Sequence, residues 1–123
     1  MDGMNPQPVH SRWTDVPAED LTGSIRRQYL TGERVTIARF ELARGGIVPR
    51  HAHHNEQVSC VVTGILKFKF DGQEVVVRAG EVMQIPGGVA HEVEVVEDTL
   101  VIDVFSPLRQ DWIDKTDTYF VSR

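Results

Sequence analysis

Gly45-Gly46-Ile47-Val48-Pro49-Arg50-His51-Ala52-His53-His54-Asn55-Glu56-Gln57 runs from a glycine break into three histidines within four residues. On an extended strand, residues two apart project to the same side. His51 and His53 therefore aim at one point, while Ala52 and His54 face away. Imidazole binds Zn, Ni, Fe, Mn or Co only when neutral, so a site on this pair is expected to weaken below about pH 6. Taken alone, His-x-His is weakly specific, and an exposed pair in a loop rich in Arg and His competes with a metal site. Gln57 shares the parity of the two histidines if the strand runs on, and its amide oxygen is a weak but legitimate ligand. Glu56 carries the stronger donor at the opposite parity, so Gln57 is favoured over Glu56.

Outward from this stretch the chain reads as short strands, at 25–30, 34–42, 58–62, 65–70, 74–78, 82–85, 91–96 and 99–105. The separators Thr63-Gly64, Asp71-Gly72, Ala79-Gly80, Gly87-Gly88 and Glu97-Asp98 are turn-like. Asp71-Gly72 between alternating runs is a strong hairpin signal. Many short strands with glycine turns mean an all-β sandwich or barrel. One helical turn is expected near 108–113, opened by Pro107. Residues 1–20, with Pro6, Pro8 and Pro17, read as a partly ordered N-terminal arm anchored by Trp13 and Val16, and 21–123 as a single barrel domain. His91 opens a strand after Pro86-Gly87-Gly88. Strand pairing, not sequence distance, would set it beside His51 and His53 as a third ligand.

The length, 123 residues, fits one core. The net charge is -5 with no basic run, which weighs against a nucleic-acid partner. A small anionic ligand stays compatible, because a cavity with a metal and an arginine is locally positive. Cys60 is the only cysteine, so an intramolecular disulfide and a cysteine-built zinc site are excluded. It shares parity with Val58 and Val62, opposite Gln57, and reads as a small buried hydrophobe. No apolar run approaches a membrane span and no signal-peptide pattern opens the chain, so the expected location is cytoplasmic.

Residues 45–64 resemble the first motif of the cupin superfamily, and Gly80-Glu81-Val82-Met83-Gln84-Ile85-Pro86-Gly87-Gly88-Val89-Ala90-His91 resembles the second. The resemblance implies a cupin barrel, a double-stranded β-helix or jelly roll, with a short C-terminal segment after it. It also implies a single divalent metal ion (Zn, Ni, Mn, Fe or Co) on His51, His53, Gln57 and His91. Two positions depart from the pattern: Gln57 stands where the motif usually has Glu, and Val95 where an Asn usually follows the second motif. A neutral amide removes a negative charge from the ligand set. That leaves an ion more Lewis-acidic and disfavours its oxidised states, which leans toward redox-neutral chemistry.

Asp103-Val104-Phe105-Ser106-Pro107-Leu108-Arg109-Gln110-Asp111-Trp112, together with His53 to Gln57 and Gly64, is similar to the pectin-degradation cupins called KdgF. That likeness implies opening of 4,5-unsaturated monouronates to linear keto-uronates, with Asp103, Phe105 and Arg109 in the pocket. Small cupin barrels of this kind also imply a homodimer. Other cupins share the C-terminal motif, so two alternatives stay open: a metal-dependent dioxygenase of a small organic acid or phenol, and a non-catalytic binding or sensing cupin.

By parity, the strand at 99–105 divides into Leu100, Ile102 and Val104 on one face and Val101, Asp103 and Phe105 on the other. If the second face lines the cavity, Asp103 lies near the metal, as general acid/base or as a group that orients a ligand. Arg109 offers its planar fork to a carboxylate, or else pairs with Asp111 at the surface. Phe105 shapes the wall. Arg27 and Tyr29 reach toward the rim without an assigned role.

Overall fold

A computed structural model describes residues 6–117. Eight strands form one antiparallel sheet: β1 Glu19–Thr22, β2 Ile25–Thr31, β3 Thr36–Leu42, β4 Ile47–His51, β5 Glu56–Phe70, β6 Gln73–Arg78, β7 Val82–Ile85 and β8 His91–Ser106. A single turn of helix, α1 Gln110–Ile113, follows. The hydrogen-bonded order is β1-β2-β3-β8-β5-β6, with β4 added to β8 and β7 to β5. The sheet rolls into a jelly-roll barrel whose two long strands, β5 and β8, pair from Glu56↔Ser106 to Lys69↔Glu92. Alternation drives the roll. Thr36, Ala38, Phe40 and Leu42 on β3, and Val93, Val95, Val101 and Phe105 on β8, all turn inward and are buried. Each large apolar side chain so buried is worth about 1.5–3 kcal/mol.

The strand reading holds in outline and needs three corrections. The turn-like pairs Thr63-Gly64 and Glu97-Asp98 do not end strands; they sit in a bulge where the β5–β8 register shifts between Val61 and Leu66. Gly64 adopts φ 95°, and the backbone of Asp98 and Thr99 comes so close that a Cβ there would overlap it. The Thr99 hydroxyl accepts from Ile65 N at 3.1 Å and donates to Glu97 O at 2.7 Å, replacing ladder bonds that the bulge removes. β1 and β4 are the second correction: β1 begins within the stretch read as the arm, and β4 ends at His51, where the parity reading carried a strand on toward Gln57. The third concerns Cys60, which is half-buried on the outer face rather than in the core.

The bulge has a consequence for the interior. Inward residues on β5 are Gln57, Ser59 and Val61 before it, and Leu66 and Phe68 after it, because one extra residue inverts the parity. On β8 the odd positions are inward on both sides of it, at 91–95 and 99–105, while Glu97 at the bulge is exposed. Both halves of β5 therefore face one interior, where Gln57 and Ser59 line the same cavity as Leu66 and Phe68. At the N-terminus Trp13–Asp15 forms a 3-10 turn, held where Gln28 Nε2 donates to Trp13 O at 2.7 Å and Val16 O at 2.9 Å.

Candidate functional site

β4 ends at His51, whose cross-strand partner is His91, the first residue of β8. His53 is not on a strand, as its parity with His51 implied, but in the loop leading to β5. The second glycine motif sets that loop. Gly87 packs so tightly on the His54 carbonyl that any side chain would collide, and Gly88 N donates to His53 O at 2.8 Å. Gln57 enters the site because β5 has begun and its side chain points inward, while Glu56 is exposed. His54 is exposed as well.

The three imidazoles form a cluster with ring centroids 4.4 Å (His51–His91), 5.2 Å (His53–His91) and 5.4 Å (His51–His53) apart. Each Nδ1 lies beside a carbonyl two residues away: Pro49 O at 2.8 Å for His51, Asn55 O at 3.1 Å for His53 and Val89 O at 2.9 Å for His91. Protons placed there by the hydrogen-bond pattern leave every Nε2 as a bare lone pair. His91 Nε2 is buried and has no partner among the described residues. With its proton on Nδ1, His53 turns Nε2 to Gln57 Oε1 at 3.1 Å, so two acceptors face one another. Both features suit a cation: it satisfies the orphan nitrogen, and a separation near 3 Å is about what two ligands on one ion adopt. One candidate ligand atom from each histidine lies within 4.8 Å of the others, so His51, His53 and His91 could hold a metal ion. Burial pushes the His51 imidazole down to about 3 and that of His53 down to about 4, and lowers His91 in the same direction. The cluster is therefore neutral and ready to ligate at any ordinary pH.

Behind the histidines, Gln57, Ser59, Asp103, Phe105, Arg109 and Trp112 line one cavity. Its interior void is about 40 Å³, room for an ion and little more than a water. His51 and His53 are half-buried, so a larger ligand approaches from their side. Val101, Asp103 and Phe105 do form the inward face of β8. Asp103 Oδ2 accepts from Gln57 Nε2 at 3.4 Å, and the same nitrogen donates to Ser59 Oγ at 3.0 Å. Asp103 Oδ1 has no partner among the described residues. Burial pushes this carboxyl up to about 7, against the opposing pull of the Ser59 hydrogen bond and the Arg109 charge.

Arg109 is buried, yet its fork is engaged: Nε and Nη2 donate to Asp111 Oδ1 and Oδ2 at 2.9 and 2.8 Å. The pair with Asp111 is thus the one formed, with Arg109 buried rather than at the surface. Arg109 also lies against the site, its guanidinium carbon 4.7 Å from the Phe105 ring centroid. Its charge, after burial, helps depress all three histidines. Burial works against ionisation of Asp111, but the bond and charge of Arg109 hold it below the usual range. Neither Trp112 nor Arg27 has a role legible in the sequence. Trp112 is sandwiched between Arg109 at 4.3 Å and Arg27 at 4.2 Å, and it meets Phe105, Phe40 and Tyr29 edgewise or tilted. Arg27 is buried and donates to Glu19 and Asp117, both at 3.0 Å. Its inward parity with Ile25 was a visible signal; its partners, eight and ninety positions away, were not. Asn55, also unassigned, donates to Pro107 O at 2.6 Å and Leu108 O at 3.1 Å, tying the histidine loop to the segment that carries Arg109.

Residues 38–105 match the family model described as Cupin domain. Among solved structures, KdgF from Halomonas sp. is 25% identical, with TM-score 0.75 over 80% of this chain and 94% of that one. An RmlC-like cupin from Shewanella frigidimarina is 30% identical, with TM-score 0.79 over 86% of this chain and 96% of that one. Oxalate decarboxylase of Bacillus subtilis, which has Mn(II) centres, shares the fold at 17% identity and TM-score 0.69, over 82% of this chain and 31% of its own. No curated protein matches the chain by sequence. No helix among the described residues is long and apolar enough to cross a membrane.

Proposed function

This chain belongs to the cupin domain family, and on that footing we propose that it is a metal-dependent, redox-neutral enzyme that opens 4,5-unsaturated monouronates to linear keto-uronates. The observation that carries the reading is the placement of Asp103: a buried carboxyl with one oxygen unengaged among the described residues, in the same cavity as His51, His91 and Arg109. The similarity to KdgF over most of both chains supports the substrate class.

His51, His53 and His91 with the amide oxygen of Gln57 are the groups that would hold one divalent cation, drawn from Zn, Ni, Mn, Fe or Co. Such an ion, when bound, supplies Lewis acidity toward a carboxylate or ring oxygen. Asp103 does the proton work. It takes the proton of the C1 hydroxyl as the C1–ring-oxygen bond breaks, giving an aldehyde and an enolate, and returns that proton to C4 as the enolate becomes a ketone. Atoms balance without an oxidant or reductant. Gln57 Nε2, which also donates to Ser59 Oγ, holds that carboxyl in place. Arg109, with its two-pronged edge on Asp111, contributes positive charge across the cavity. Phe105 backs the guanidinium and excludes water.

The test is Asp103→Asn with metal content measured alongside turnover. Loss of the substrate's ultraviolet absorbance should slow roughly 100-fold or more, the usual worth of a positioned proton donor, with metal retained. Parent-level turnover by metal-replete D103N would remove Asp103 from the mechanism. If the metal-loaded parent consumed dioxygen and left the uronate untouched, the dioxygenase reading would replace this one.

A further inference from the structure

Arg109 and Asp111 form an unequal pair. The Arg109 side chain is 1% exposed and firmly held. Its backbone N donates to the Thr36 hydroxyl at 2.9 Å, and its guanidinium carbon lies 4.7 Å from the Phe105 ring centroid and 4.3 Å from that of Trp112. The Asn55 amide fixes the carbonyls of Pro107 and Leu108 just before it. Asp111 is the looser partner: its side chain is 34% exposed and stands on a helix of one turn. It also stands at the entrance. The charge of His53 acts on its carboxyl, and His53 is on the half-buried side from which a ligand comes. The two Asp111 oxygens take Nε and Nη2 at 2.9 and 2.8 Å, the side-by-side geometry in which a guanidinium holds any carboxylate.

We propose that Asp111 stands in for the carboxylate of the ligand, and that a small carboxylate ligand binds by displacing it from Arg109. A guanidinium edge buried without an opposite charge is costly, so the empty site needs an anion there. Asp111 supplies one while the site waits, and the ligand supplies another when it arrives. The exchange is near balance, since one two-pronged pair replaces another and the released Asp111 regains water. A neutral ligand has nothing to exchange. Moving Asp111 aside for it would leave the Nε edge of Arg109 buried without that acceptor. Asp111 thereby selects carboxylates against neutral sugars, by penalising the wrong ligand rather than by gripping the right one. Space requires the same movement. An interior void of about 40 Å³, lined in part by Arg109, holds no sugar acid until something at its mouth gives way. This inference rests on the ligand bearing a carboxylate, as in the proposed function, and not on the reaction that the ligand undergoes.

The test is ligand affinity in the full-length protein, read by NMR titration of the Trp112 indole N–H, which lies beside Arg109 and is one of two indoles in the chain. The probes are glucuronate, acetate and the neutral methyl ester of glucuronate. All are titrated with a chelator present, so that no ion takes the carboxylate directly, and glucuronate again with saturating Zn(II). Asp111→Asn removes the internal competitor. With Asp111 on the fork about nine parts in ten, D111N should bind glucuronate and acetate roughly tenfold tighter than the parent. The ester should keep the parent's affinity. Asp114→Asn, which deletes a charge at the end of the same helical turn without touching the fork, should also behave as the parent. Equal or weaker binding of both carboxylates by D111N overturns the proposal and makes Asp111 a fixed brace for Arg109. A gain as large in D114N, or for the ester, overturns it equally. If D111N does not fold, molar acetate, but not molar chloride, should restore the fold by filling the fork; no restoration counts against the proposal in the same way. A tenfold gain for acetate, with glucuronate bound by neither protein, would uphold the exchange and remove the uronate from the proposed function.

Discussion

A buried imidazole nitrogen without a partner, as at His91, is tolerated where something other than the protein completes it. Two residue-scale predictions follow from the groups around it. Gln57→Glu brings a second carboxyl to within hydrogen-bond reach of Asp103, now 3.4 Å from the amide nitrogen. Metal-free Q57E should lose about 1–3 kcal/mol at neutral pH, while calorimetry should show divalent metal bound more tightly, since the new charge opposes Asp103 but attracts the cation. The other prediction concerns Asp103→Asn in metal-free protein. The folded carboxyl titrates at about 7, above the ordinary 3.8 it has when unfolded. Its ionisation therefore favours the unfolded chain increasingly as pH rises from about 4 to 7, and the cost is absent below that window. D103N should accordingly gain roughly 2–4 kcal/mol over the parent at pH 8, with the gain fading toward pH 4 in urea titrations. A gain independent of pH would mean that packing, not charge, decides the comparison.

At the scale of the element, the bulge shared by β5 and β8 lets both halves of β5 present inward side chains to the same interior. Gly64→Ala must hold φ 95° and also press a methyl into the backbone of Asp98 and Thr99. Gly72 has φ 75° in the β5–β6 hairpin, but nothing lies near a Cβ built there. Gly72→Ala should cost about 1 kcal/mol and Gly64→Ala about 2–4 kcal/mol, compared by urea midpoint at equal slope. Equal costs would show that the bulge relaxes freely. The segment from Arg109 to α1 is a second such device. It has a single helical turn, so its position depends on Trp112 between two guanidinia and on Asn55 beneath Pro107 and Leu108.

For the whole molecule, a ligand that binds only the folded barrel stabilises it by mass action. Saturating Zn(II), Ni(II) or Mn(II) at about 100 times its dissociation constant should add about 2.7 kcal/mol at neutral pH, reversed by chelation. The metal-free protein should also be sensitive to acid through the same cluster. His51 and His53 titrate at about 3 and 4 when folded, below the ordinary 6.5 of the unfolded chain. Their contribution is complete above about pH 6.5 and is lost as pH falls toward 4, because the unfolded chain takes up protons that the fold refuses. A double variant, His51→Gln with His53→Gln, should flatten that limb of the stability curve. An unchanged limb would place the acid sensitivity elsewhere.

Much of this was readable one residue at a time. Alternation and glycine punctuation determined an all-β chain, because the period of two is a local property of the backbone. Parity put Val101, Asp103 and Phe105 on one side of β8, and sidedness survives wherever a strand is unbroken. The folded barrel alone decided the rest. Only the bulge shows that Thr63-Gly64 and Glu97-Asp98 continue strands instead of ending them, since a bulge is defined by a neighbour absent from the local sequence. His53 joins His51 through a loop braced by Gly87, not through strand parity. Arg27, Trp112 and Arg109 stack because β2 and the last turn of chain meet across the barrel mouth. Local pattern sets the direction of a side chain; which groups share a cavity depends on contacts between distant segments, and only closure of the sheet creates those.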